Sequence, residues 1–98
     1  MTNTTPWNIQ DYLQTPEECA MFVQAAIEDA SDDASYIAQV LGEVAKSKGM
    51  AAVARDAGLS REGLYKALGE GGNPSFATIV KVMGALGLKI AIKPVVPA

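Results

Sequence analysis

The chain has 98 residues, 49% of them hydrophobic, with a net charge of −3, one cysteine and no histidine. That size allows one core, and the lone Cys19 cannot close an internal disulfide. The Cys/His inventory cannot build the usual zinc site, and without histidine the commonest general base is missing, so no metal, cofactor or enzymatic activity is expected. The acidic total hides two unlike halves. Residues 1–45 hold eight acids and no Lys or Arg, whereas residues 46–98 hold eight bases against three acids. Such asymmetry predicts one surface suited to phosphate and another suited to a cationic partner. Some of these acids also have a purely local use, since Glu17, Glu18, Asp32 and Asp33 fall where first helical turns favour negative charge.

Residues 1–14 form an arm whose polar beginning does not resemble a signal peptide. Every apolar run along the chain is interrupted by Asp, Glu, Lys or Gly before it reaches membrane-spanning length, and a soluble cytoplasmic protein is expected. Thr15-Pro16-Glu17-Glu18 then reads as a capping box with proline in the first helical turn. It opens a helix whose apolar stripe is Cys19, Phe22, Val23, Ala26, Ile27 and Ala30. A second helix begins near Asp33, turns Ile37, Val40, Leu41, Val44 and Ala45 inward, and ends at Gly49.

Residues 50–69 have the pattern of a DNA-reading helix-turn-helix. Val53 and Ala57 point inward, and Ala54 is small where a second helix must cross closely. Gly58 supplies a backbone able to turn with positive φ. Leu59 plugs the corner, Ser60 caps the next helix, and Leu64, Ala67 and Leu68 face the core. Asn73-Pro74 makes a turn and Ser75 caps a fifth helix, with Phe76, Ile79, Val82, Met83 and Leu86 as its buried face and Gly87 as its stop. Beyond Gly87 the period becomes alternating over residues 88–93, which predicts one short β-strand before a 94–98 tail containing two prolines. A solitary strand must pair, either with residues 7–13 or with the same strand of a second copy. In the latter case Ile90 and Ile92 are dimer-interface residues. The expected architecture is one all-α domain over 1–98: the arm, a five-helix bundle at 15–87, the strand and the tail.

Several stretches together resemble a known family. Asp11-Tyr12-Leu13, Glu17-Glu18, Lys48-Gly49-Met50, the run from Gly58-Leu59-Ser60-Arg61-Glu62-Gly63 through Leu64-Tyr65-Lys66-Ala67-Leu68, Gly72-Asn73-Pro74-Ser75-Phe76 and Ala85-Leu86-Gly87-Leu88-Lys89 are similar to the HigA-related small antitoxins. These are addiction-module antidote proteins with a lambda-repressor-like, Xre-type helix-turn-helix. The resemblance covers nearly the whole chain, least so residues 2–8 and the tail. It implies a bundle of about five helices, a homodimer, binding to a palindromic double-stranded operator, repression of its own operon, and neutralisation of a small RNase-like toxin encoded beside it.

If the helix after Ser60 enters the major groove, its N-terminal side chains reach base edges first, which brings forward Arg61 and Glu62, then Tyr65 and Lys66. Arg61 suits bidentate pairing with guanine, Glu62 can accept from cytosine N4, and Tyr65 or Lys66 can meet a thymine methyl or a phosphate. Gly63 on the same arc costs about 1 kcal/mol in helix propensity and permits close approach. Ser60, the amides of Gly71 and Gly72, Asn73 and Ser75 are candidate phosphate donors, with Lys46, Lys48 and Lys81 as weaker ones. Asn73 is equally accounted for as a turn residue. For a toxin, the acidic first half offers steering towards a basic surface, and Trp7 and Tyr12 are candidate anchors, although both can as readily cover their own core. Two other readings stand beside this one: a free-standing transcriptional regulator without a toxin, and an interaction module that no longer binds DNA.

Overall fold

The computed structural model describes residues 13–30 and 32–96. Its regular structure is five helices: α1 (Pro16–Asp29), α2 (Ala34–Lys48), α3 (Met50–Ala57), α4 (Arg61–Leu68) and α5 (Phe76–Ala85). Four of them begin at a side-chain cap, whereas α3 follows Gly49 without one. Thr15 Oγ1 accepts the Glu18 N–H at 3.1 Å while Glu18 Oε1 accepts the Thr15 N–H at 3.1 Å, a reciprocal capping box over α1. Asp33 Oδ1 caps α2 through the Tyr36 N–H at 3.0 Å. Ser60 and Ser75 do the same for α4 and α5.

Two glycines stop helices in the left-handed region. Gly58 has φ 72°, with the Leu59 N–H donating to the Ala54 carbonyl at 2.8 Å and the Gly58 N–H to that of Arg55 at 3.2 Å. Gly87 has φ 76°, with Leu88 donating to Met83 at 2.8 Å and Gly87 to Gly84 at 3.1 Å. Both are Schellman motifs, in which the last carbonyls of the helix are satisfied by the residues that turn away.

The helices enclose one apolar cluster. Leu41, Val44, Val53, Leu64 and Val82 are fully buried at its centre. α2 is the spine, contacting α1, α3 and α4, and α3 also packs on α4 and α5. Lys48, at the end of α2, donates to the Ala85 carbonyl and so ties α2 to the last turn of α5. No helix among the described residues is long and apolar enough to cross a membrane.

Two expectations are corrected. No strand occurs among the described residues, and residues 88–96 carry no helix or ladder. An extended segment becomes a strand only when another backbone accepts its hydrogen bonds. Here residues 88–91 instead line a groove against Ala20, Val23, Gln24, Ile27 and Met83, so their neighbours are side chains of α1 and α5. Phe76 is not part of the core either: it is 73% exposed. The first turn of α5 overhangs the cluster, with Ile79 half-buried and burial complete only at Val82.

Candidate nucleic-acid interface

α3 and α4 are joined by a three-residue turn, 58–60, that leaves no room for the second helix to choose its direction. Gly58 supplies the reversal, half-buried Leu59 packs against the core, and Ser60 starts the next helix with its hydroxyl accepting the Gly63 N–H at 2.9 Å. Leu64 and Leu68 then seat one side of α4 completely. Helical spacing consequently forces Arg61, Glu62, Tyr65 and Lys66 outward, and all four are exposed. The sequence-based placement of these side chains on one outer arc therefore matches the structure.

Within that arc the Arg61 guanidinium lies 5.8 Å from the centre of the Tyr65 ring, a cation–π pair one turn apart that holds both side chains along the helix. Charge separates the candidates further. Lys46 pairs with Glu43 at 3.3 Å, Lys48 approaches Asp56 at 3.9 Å and Arg55 approaches it at 3.5 Å. Arg61, Lys66, Lys81 and Lys89 have no carboxylate partner among the described residues. The positive charge available to an anion is thus carried by α4, α5 and Lys89 beyond α5, while the bases of α2 and α3 are already engaged.

The phosphate-donor candidates divide in the same way. Ser75 accepts the Thr78 N–H at 3.1 Å and donates to Thr78 Oγ1 at 3.1 Å, and Ser60 is likewise engaged in capping. The Gly72 N–H donates to the Gly69 carbonyl at 2.9 Å, which removes it from the donor set. Asn73 is exposed between these turns. Trp7 and Tyr12 lie outside the described residues.

Two features escaped the sequence reading. Gly42, inside α2, is where the end of α4 comes closest: a Cβ there would sit 3.0 Å from the Leu68 carbonyl oxygen. The signal was present as a glycine between inward-facing Ala38 and Ala45, but its meaning depends on α4 being its neighbour. Beside that crossing, Gln39, Glu43 and Lys46 of α2 face Tyr65, Gly69 and Glu70 across an open cleft. The second is at Gly63, where an added Cβ would lie 2.8 Å from Ser60 Oγ, so a side chain there would require the capping hydroxyl to shift.

Comparison with known proteins bears on what this surface serves. A family model described as a probable addiction module antidote protein matches residues 3–94. A Haemophilus influenzae protein, itself described only as uncharacterized, is 40% identical over 87 residues, spanning 89% of this chain and 88% of that relative. No solved structure matches the chain.

Proposed function

The chain belongs to the family of probable addiction module antidote proteins, and from that premise we propose that it silences a small, basic, RNase-like toxin by direct binding and represses its own operon through α3 and α4. An antidote implies a toxin partner. In this reading the α3–α4 pair is a lambda-repressor-like helix-turn-helix, and the protein acts in the cytoplasm, where its operator lies. The observation that carries the DNA half is the outer arc of α4, where Arg61 and Lys66 stand free of carboxylates on a helix whose opposite side is locked into the core.

Arg61 and Glu62 in the first turn of α4 meet base edges, with the Tyr65 ring holding the guanidinium in a forward pose suited to guanine O6 and N7. Lys66 and Asn73 meet phosphates, supported by the helix termini capped by Ser60 and Ser75. Two copies related by a two-fold axis set their α4 helices in successive major grooves about 34–36 Å apart. Ile90 and the 92%-exposed Ile92 contribute apolar surface to that contact without forming a strand. Trp7 and Tyr12 serve as anchors for the toxin.

A gel-shift series with the gene's own promoter tests the DNA half. Arg61→Ala is expected to lose about 1–3 kcal/mol and to relax discrimination at one base pair, whereas Lys66→Ala weakens all sequences alike and flattens the salt dependence. A wild-type protein that binds the promoter no better than random DNA removes operator recognition. Co-expression with the neighbouring gene's product tests the antidote half: growth should be restored, and failure to restore it rejects the toxin partner.

A further inference from the structure

α1 carries a second exposed stripe, unrelated to the arc on α4. Glu17, Ala20, Met21, Gln24, Ala25 and Glu28 recur at helical spacing along its solvent side, with the apolar residues in the middle and a carboxylate at each end. Met21 is 73% exposed, and with Ala20, Gln24, Ala25 and Glu28 it lines an open apolar hollow. Ala20 and Gln24 are shared with the adjoining groove, whose opposite wall is residues 88–91.

The chain itself shows what chemistry this surface accepts. Its C-terminal segment runs out of that groove and sets Lys93 Nζ 3.4 Å from Glu28 Oε2. The Gln24 amide, at 2.8 Å, and the Lys93 ammonium together hold the Glu28 carboxyl below its ordinary pKa, as hydrogen bonds and opposite charge favour the ionised form. Beyond it, Asp29, Asp32 and Asp33 are exposed and make no ion pair among the described residues. The complementary partner therefore carries lysine or arginine flanking an apolar side chain.

We infer that the outer stripe of α1, Met21 and Ala25 bounded by Glu17 and Glu28, is the docking surface for the cationic toxin, with Lys93 holding the place of a toxin cation until binding. This rests on the antidote reading and names its surface. α1 packs on α2, whereas Arg61 and Lys66, the cations assigned to the operator, lie on α4, so toxin and DNA are drawn to different helices and one antidote molecule can hold both.

The test measures the affinity of the full-length protein for the product of the neighbouring gene, beside its operator binding and circular dichroism. Met21→Glu and Glu28→Lys replace exposed side chains and are each expected to weaken toxin binding by about tenfold or more while helicity and operator binding stay unchanged. Lys93→Ala is expected to leave toxin binding equal or tighter. If the wild type does not bind the neighbouring product, the antidote reading and this surface fall together. If the wild type binds and both α1 variants bind equally well, only the surface is wrong. A tenfold loss on Lys93→Ala, or conversion of a dimer to a monomer by Met21→Glu, also overturns it, the latter by assigning the stripe to a second copy.

Discussion

Gly58-Leu59 and Gly87-Leu88 end their helices with the same backbone, at φ 72° and 76° and with the same pair of closing hydrogen bonds, yet they lead to opposite outcomes. In both, the leucine is half-buried against the core. After Leu59 the chain meets Ser60, a hydroxyl that starts a new helix, and four residues later Leu64 is completely enclosed. After Leu88 there is no capping residue, and lysines alternate with apolar side chains that find only the flank of α1 and α5, so no regular structure forms. A stop signal fixes where a helix ends. The course of the chain beyond it depends on whether the next apolar residues have a cavity waiting for them.

The largest expected effect breaks the favourable side of that contrast. Leu64→Ala removes a side chain with no solvent exposure from the centre of the cluster, and about 2–5 kcal/mol of stability should be lost in chemical denaturation. Operator binding should disappear with the seating of α4. Unchanged stability would mean that α4 is not anchored through this residue.

Substituting alanine at the two glycines compares the stops directly. Neither site has an atom within 4 Å of an added Cβ, so the cost at each is backbone strain alone, about 1–2 kcal/mol. Thermal unfolding should fall by similar amounts for Gly58→Ala and Gly87→Ala. Only Gly58→Ala should also weaken operator binding, because only that turn aims α4. Ser60→Ala comes next: loss of the bond from the Gly63 N–H should cost about 1 kcal/mol, read as frayed amide exchange over the first turn of α4.

The smallest effect concerns the C-terminal segment. Glu28 has a lowered pKa in the folded chain, so its contribution is present above the ordinary value of about 4.5 and is lost as pH falls through the lowered one. The pair with Lys93 is solvent-exposed and should contribute little to global stability. Amide resonances of residues 88–93 should nevertheless shift on acidification below that range, and on adding salt, while those of α4 do not. Coincident shifts in α4 would show that the two regions are coupled.

The legible part of the fold is set by the range of each interaction. Thr15, Asp33, Ser60 and Ser75 act on amides three residues away, and Gly58 and Gly87 act on carbonyls within the preceding turn, so these boundaries could be read locally. The outer arc of α4 was legible for the same reason, because burying Leu64 and Leu68 dictates the direction of Arg61, Glu62, Tyr65 and Lys66. Phe76 fits the helical period but lies one turn before the core begins, which depends on where α3 ends relative to α5. Residues 88–93 alternate as a strand does, yet strand formation requires a second backbone that the described chain does not supply. The closeness allowed by Gly42, the engagement of Lys48 by the Ala85 carbonyl and Asp56, and the meeting of Lys93 with Glu28 across 65 positions all depend on how the chain is packed. The sequence by itself determined where helices start, stop and face, because those are nearest-neighbour hydrogen bonds and a fixed 3.6-residue period. Only the tertiary structure decided which charges stay free and which apolar residues stay uncovered, because both depend on what the packed chain places opposite them.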